Sequence, residues 1–230
     1  LDIRLMQGAQ LEFVQSRAFS PAYIAGRGGG KTWAFVTKAM IGALENSGER
    51  GCLTLPTFQM IRSIFMPIWN QQFGELRGKC WDYQVIQQST PGEIAFDIGF
   101  TYDLRPATNE QAEKFRGPTY RVIGMDELRN EDQVQCYIAL MGTTRQGGQF
   151  FVTSTPEARR AWIKKIWTEH ISPISGESLP PADYPKFVSR MEDNWHLDPV
   201  AKQRLRDMYG TGRYARQELD AEDVALEGAA

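Results

Sequence analysis

Residues 25–32 read Ala25-Gly26-Arg27-Gly28-Gly29-Gly30-Lys31-Thr32, and the fold follows from how this run sits in the chain. Before it lies a short apolar stretch, Pro21-Ala22-Tyr23-Ile24-Ala25, with the content of a buried strand. After it, Trp33, Val36, Met40, Ile41 and Leu44 recur at helical spacing until Asn46-Ser47-Gly48 stops the pattern. A strand, a glycine-rich turn and a helix opening on Gly-Lys-Thr make a phosphate-binding loop, with Ala25 where a first glycine is usual. Glycines let successive backbone N–H groups turn toward one anion without Cβ clashes. The helix start adds unpaired amides and the positive end of its dipole. Lys31 brings a point charge for β- and γ-phosphates, and the Thr32 hydroxyl is a ligand type for Mg2+. The competing reading, a flexible glycine turn with an incidental Lys-Thr, does not account for the strand before and the helix after. Arg27 stands either within reach of a γ-phosphate or solvated on the loop.

A second signal complements the first. Tyr120-Arg121-Val122-Ile123-Gly124-Met125 is a mostly apolar strand that runs into Asp126-Glu127. After a phosphate loop, an aspartate at such a strand end holds the Mg2+ shell, and an adjacent glutamate polarises the attacking water. Asp126 is therefore expected on the metal side and Glu127 as general base; the simpler alternative is that both cap the next segment. Phe151-Val152-Thr153-Ser154-Thr155-Pro156 ends another strand with hydroxyls that would face the same nucleotide, or would simply cap the following helix. No Asn-Lys-x-Asp motif of the small GTPases occurs. Arg145-Gln146-Gly147-Gly148-Gln149 comes after the acidic strand, so it reads as a turn and not as an ABC-type signature. A motor-type or helicase-like ATPase remains.

The surrounding pattern is α/β: a mostly parallel central sheet with helices on both faces. Further strands are expected at 52–55, 83–86, 93–104 and 149–153. Helices are expected at 57–73 (kinked at Pro67), 131–141 and 158–169. On the last of these, Trp162, Ile163, Ile166 and Trp167 read as core. Near residue 171 the composition shifts to a Pro-, Ser- and Gly-rich stretch, followed by short helices from Asp198 and Tyr214. This divides the chain into a core, 1–170, and a small, mainly helical lid or linker, 171–230. With 230 residues, 42% hydrophobic and 23% charged, the chain can bury a substantial core, and its net charge of -2 excludes a globally basic nucleic-acid coat. Three dispersed cysteines and two histidines fit neither a disulfide framework nor a His-rich metal site. No apolar run approaches the roughly 20 residues of a membrane span. The chain begins at Leu1 and is expected to be part of a longer protein.

Together these residues resemble the ATPase domain of a tailed-bacteriophage terminase large subunit, a P-loop NTPase of ASCE type. Gln10-Leu11-Glu12-Phe13 sits where that family has an adenine-reading Gln. Residues 25–32 are similar to its arginine-bearing P-loop, and Phe115-Arg116-Gly117 looks like the Arg-Gly before its acidic strand. Val122 to Glu127 matches that strand, and Ser154-Thr155-Pro156 looks like its coupling motif. Asn194-Trp195-His196-Leu197 and Tyr214 to Leu219 resemble the segment leading to a nuclease domain. The resemblance implies ATP and Mg2+ as cofactors and double-stranded DNA as the cargo. It implies the portal protein and the small terminase subunit as partners, and a pentameric ring on the procapsid formed from subunits that are monomeric in isolation. The setting would be the host cytoplasm, docked transiently on the portal, with no membrane. Cutting of DNA is not expected of this stretch, which ends where the nuclease would begin.

Other roles are less sharply placed. A neighbouring subunit's arginine finger would come from Arg62, Arg77 or Arg105, each equally readable as a surface arginine. Arg159, Arg160, Lys164 and Lys165 form a basic stretch suited to DNA phosphates or to plain solvation. Glu218, Asp220, Glu222 and Asp223 read as a solvated acidic run rather than a metal cluster. Two rival functions stay open: a helicase-like nucleic-acid-dependent ATPase, and a nucleotide-organised assembly module without catalysis.

Overall fold

The computed structural model describes residues 4–84, 92–128, 133–156 and 161–222. Among the described residues eight strands form one sheet, β1 (Ala22–Ala25), β2 (Arg50–Leu55), β3 (Trp81–Gln84), β4 (Glu93–Phe96), β5 (Thr101–Pro106), β6 (Tyr120–Met125), β7 (Thr144–Ser154) and β8 (Lys186–Ser189). Their order across the sheet is β3-β4-β5-β2-β6-β7-β1-β8. The strands from β5 to β8 pair in parallel, and β3 and β4 add an antiparallel edge. β7 lies between β1, which feeds the glycine-rich loop, and β6, which ends in the acidic pair. One strand between those two is the ASCE arrangement.

Helices cover both faces, as expected of a parallel sheet whose strands are apolar on both sides. On one face, α1 (Ala9–Gln15), α2 (Lys31–Leu44) and α4 (Met66–Phe73) pack over a core that includes Phe13, Phe35, Phe65, Trp69, Tyr102 and Phe151. On the other, α5 (Gln133–Met141) and α6 (Ala161–Trp167) cover Ile123, Phe150 and Val152, and Trp162, Ile166 and Trp167 enter that core as the sequence reading holds.

The expected helix over 57–73 is built in three pieces. A single turn, α3 (Phe58–Met60), leads into a π-helical turn at Ile61–Phe65 and then into α4. Pro67 stands in the first turn of α4, and with no N–H it cannot close the turn before it, where the wider π geometry lies.

Two expectations are corrected. The Arg145 to Gln149 run is not a free turn. It lies inside β7, which begins at Thr144 and reaches its register with β6 through a bulge between the Tyr120↔Thr144 and Val122↔Gln149 pairs. The core also does not stop at residue 170, because β8 adds to the sheet edge beside β1 with Ala25 paired to Ser189. This strand is too short and half-exposed to show in the sequence. The helical part follows it, with α7 (Pro199–Tyr209) and α8 (Arg213–Glu218) around their own small core of Met191, Ala215 and Leu219. Asp198 caps α7 by accepting from the N–H groups of Val200 and Ala201, with Pro199 at its first position.

Candidate functional site

The site is assembled at the carboxyl ends of β1, β6 and β7, where the parallel strands all point. The glycine-rich loop leaves β1 and turns into α2 through Gly30, whose left-handed backbone (φ 70°) is open to glycine. A cavity of about 980 Å³ opens over it. Gln10, Arg27, Gly28, Gly30, Lys31, Thr32, Glu127 and Thr155 all border it, so residues far apart in sequence meet in one space.

Lys31 is buried and its Nζ donates to the carbonyls of Ala25 and Gly26, both at 3.0 Å. Asp126 is buried at the end of β6. Its Oδ1 accepts from the Thr153 hydroxyl and, at 3.0 Å, from the Glu127 N–H. The Thr32 hydroxyl also bonds to its carboxylate. Burial raises the Asp126 pKa, the adjacent Glu127 charge raises it further, and the Thr153 and Thr32 hydroxyls and Lys31 oppose the rise. Its Oδ2 is buried with no hydrogen-bond partner. A buried carboxylate oxygen left in that state, with a threonine hydroxyl beside it, is a donor set that fits Mg2+. Glu127 follows with a positive φ of 55°, rare for a non-glycine residue and of the kind that gathers at reacting centres. The conformation turns its side chain to the cavity while Asp126 stays against the sheet.

Arg27 borders the cavity and is held there by residues of the chain's last segment. Its Nε donates to Glu218 Oε2 at 2.8 Å, and its guanidinium lies 5.7 Å from the Tyr209 ring centre. Gln10 is buried against the loop, its Nε2 donating to Gly30 O at 3.0 Å and its Oε1 accepting the Met6 N–H at 2.6 Å. Of Ser154, Thr155 and Pro156 at the end of β7, Thr155 borders the cavity. The Ser154 hydroxyl is turned into the protein toward Leu128 O and Thr155 O, and Pro156 O accepts from Gln217 Nε2 at 3.1 Å.

The candidate finger arginines lie away from this chain's own cavity. Arg77 pairs with Asp82 at 3.0 Å, Arg105 with Asp103 at 3.3 Å, and Arg62 sits over the Phe58 ring at 5.0 Å. Lys164 and Lys165 are exposed on α6, while Arg159 and Arg160 lie outside the described residues. The tail carboxylates are not a solvated run: Glu218 pairs with Arg27, Asp220 with Arg206 and Glu222 with Arg216, and Asp223 lies outside the described residues. Sequence reasoning missed Tyr23, Asn194, Gln217 and Glu218 as members of the site. Tyr23 sits within a strand whose apolar content masks it. The last three meet the loop and β7 only through the fold, Asn194 reaching Gly28 O across 166 residues of sequence and Glu218 reaching Arg27 across 191.

Among solved structures the chain is similar to the large terminase of a thermophilic bacteriophage in complex with ADP. The identity is 15% and the TM-score 0.74, over 96% of this chain and 54% of that one. It is also similar to the large terminase ATPase domain of Thermus phage P74-26, at 18% identity and TM-score 0.65 over 95% of this chain and 94% of that one. A third likeness is to the bacteriophage Phi-29 viral genome packaging motor assembly, at 15% identity and TM-score 0.51 over 99% and 71%. The chain spans about half the length of the thermophilic-phage large terminases it matches. No curated protein matches by sequence. The family model for the terminase large subunit, T4likevirus-type, N-terminal, matches residues 22–230. The chain belongs to that family.

Proposed function

We propose that this chain binds Mg2+·ATP in the cavity over residues 25–32, hydrolyses it, and uses the cycle to drive double-stranded DNA into a procapsid as part of a ring motor. The observation that carries the reading is the convergence of Lys31, Thr32 and Glu127 on one cavity, with buried Asp126 next to all three. The likeness to a terminase in complex with ADP and to a packaging motor assembly supports it.

In this reading Lys31 leaves the carbonyls of Ala25 and Gly26 and takes the β- and γ-phosphate charge. Thr32 and Asp126 would hold Mg2+, which supplies neutralisation of charge between those phosphates. Glu127 orients a water on the far side of the γ-phosphate and accepts its proton as the P–O bond opens. Arg27 stabilises the same phosphoryl oxygens only after its ion pair with Glu218 opens. Thr155 meets the nucleotide side of the cavity, and the bond from Gln217 to the next residue ties that strand end to α8. An arginine from a neighbouring subunit, Arg62, Arg77 or Arg105, would complete the charge, so the isolated chain is expected to be a slow ATPase, short of the ~10³–10⁵ in rate that such a residue supplies. The partners in this setting are duplex DNA, the portal protein, the small terminase subunit and four further copies in a pentamer, in the host cytoplasm. Lys164 and Lys165 are candidate contacts to DNA phosphates.

The test pairs two variants. Glu127→Gln is expected to bind ATP like the parent while its hydrolysis falls by ~10²–10⁴, and packaging stops with it. Lys31→Ala is expected to lose ATP binding. A Glu127→Gln protein that still packages DNA would leave only a nucleotide-organised assembly role. Strand separation in place of duplex translocation would assign a helicase.

A further inference from the structure

Lys38 is a buried amine to which the hydrolytic reading gives no role. It stands on α2 beside the rings of Phe13 and Phe151, and no carboxylate pairs with it among the described residues. A charge buried in this way is costly, and a methionine would fill the same space without that cost. Its Nζ donates to Val14 O at 3.3 Å and to Ser16 O at 2.8 Å, carbonyls at the far end of α1. A helix leaves its last carbonyls without partners and gathers negative charge there, so a cation is favoured at that end. α1 is thereby tied to α2 at both ends. At its start Gln10 Nε2 donates to Gly30 O at 3.0 Å, the residue from which α2 opens, and about two turns further along α2 Lys38 holds its end. From β7, Gln149 Nε2 adds bonds to Ser16 O at 3.1 Å and Ala18 O at 2.9 Å.

Apolar packing does not replace these ties. Phe13 of α1 stacks on Tyr23 of β1 at 5.4 Å, and the Tyr23 hydroxyl donates to Gly29 O at 2.8 Å. The stack presses α1 against the sheet. Burial is non-directional, so slide along the helix axis is left to the hydrogen bonds at its ends. A helix of seven residues is too short to be stable by itself and stands where its contacts put it.

What this fixes is the placement of Gln10. Met6 and Gln10 border the cavity beside the loop, in the space left for a nucleoside whose phosphates lie on residues 25–32. Gly30 O also accepts the Ala34 N–H at 3.0 Å, so Gln10 Nε2 can leave that carbonyl without stranding it. Gln10 Oε1 stays with the Met6 N–H at 2.6 Å. The amide then has a donor to offer a bound base, and where that donor reaches depends on where α1 stands. We propose that Lys38 is a positioning residue for the nucleoside end of the site: by holding the last carbonyls of α1 to α2, it fixes where Gln10 meets the base. The proposal rests on the reading of the cavity as a Mg2+·ATP site with Gln10 at its base end.

The test measures binding of the Mg2+ complexes of ATP and of inorganic tripolyphosphate, which has neither base nor ribose, by calorimetry. Lys38→Met, Gln10→Ala and the double variant are compared with the parent. Lys38→Met is expected to bind ATP about two- to tenfold more weakly, the worth of one hydrogen bond, and tripolyphosphate like the parent. A general loss of stability would weaken both ligands alike. The double variant is expected to lose no more ATP affinity than Gln10→Ala alone, because Lys38 acts through Gln10; independent effects at the two ends of α1 would add. Gln149→Leu removes the β7 donors without touching the buried amine. It should change the ratio of the two affinities in the same direction, and it decides if Lys38→Met does not fold: a parent-like ratio would then overturn the proposal. If Gln10→Ala does not fold, the ratio in Lys38→Met decides. Equal weakening of both ligands by Lys38→Met, parent-like ATP binding, or additive losses in the double variant would overturn the positioning role. Two other results remove its foundation and are distinct from these. Parent-like ATP binding by Gln10→Ala removes Gln10 from the base, and normal tripolyphosphate binding by Lys31→Ala removes the phosphate cradle.

Discussion

Lys38 offers a test of how dry the helix beneath the loop is. It lies on α2 and is only 3% exposed. Its Nζ donates to Ser16 O at 2.8 Å and Val14 O at 3.3 Å, and the Phe13 and Phe151 ring centres lie 5.3 and 5.8 Å away. No carboxylate pairs with it among the described residues. Burial, with the charge of Arg17 added, brings its pKa down from 10.5 to about 7. The native state therefore binds fewer protons than the unfolded chain between about pH 7 and 10.5, and stability from this group rises with pH across that window. The slope for one proton is at most about 1.4 kcal/mol per pH unit. Between pH 7.5 and 9.5 the parent should gain about 2–3 kcal/mol relative to Lys38→Met. The variant fills the same space, carries no charge and leaves Val14 O without that donor. It is thus expected to be the more stable protein near pH 6 and the less stable near pH 9.5, so the two curves cross. Urea unfolding of both proteins over a pH series measures the difference directly and cancels every other titrating group. Parallel curves would mean that water reaches Lys38 and that its amine titrates as an ordinary lysine.

Gly26→Ala would place a Cβ 2.2 Å from Leu219 O, a backbone atom that cannot swing aside. Melting should show a loss of ~1–3 kcal/mol or more, and proteolysis should reach the 190–222 region first as α8 is pushed off the loop. Gly124→Ala puts a Cβ 2.7 Å from the Phe151 ring in the middle of β6 and should cost a similar ~1–3 kcal/mol by overpacking, with no preferential cleavage of that region. Asp103→Ala removes the acceptor of Arg50 at 2.7 Å and of the Tyr120 hydroxyl at 2.7 Å inside the sheet. It should lower stability by ~2–4 kcal/mol in urea unfolding, with nucleotide affinity unchanged in the folded protein.

What could be read in the sequence was local. The 25–32 run needs only a strand before it and a helix after it, and both follow from residue spacing. β6 declares itself by an apolar stretch ending in two carboxylates. β8 does not, because Lys186–Ser189 is only four residues long, exposes Lys186 and Val188 at a sheet edge, and is held there by pairing with β1. The bulged start of β7 was equally hidden, since glycines at 147 and 148 carry turn chemistry whether or not a neighbouring strand straightens them. The tail acids failed for a different reason. An acidic stretch reads as solvated until its arginines are known, and Arg27 is 191 residues from Glu218.

The loop's amides are divided between two sets of acceptors, and this division locates where chemistry and movement would meet. The Gly26 N–H goes to Ser189 O at 3.2 Å and the Arg27 N–H to Glu218 O at 2.6 Å, both in the part of the chain beyond β7 and α6. Gly28 and Gly30 border the cavity, and their N–H groups have no acceptor among the described residues. α8 thus touches the first half of the loop through Glu218 and the end of β7 through Gln217. A displacement of either strand end by a phosphate would reach α8 without passing through the sheet. The polar contacts that resist it are weak: the Arg27–Glu218 pair, with Arg27 half-exposed, is worth ~0–1 kcal/mol, and the two hydrogen bonds, Arg27 N–H to Glu218 O and Gln217 Nε2 to Pro156 O, about 1 kcal/mol each. A triphosphate that bound about 100-fold more tightly with α8 off the loop, a difference of about 2.7 kcal/mol, would match that sum. The geometry therefore needs no strain stored elsewhere for occupancy of the cavity to decide whether α8 stays on the loop.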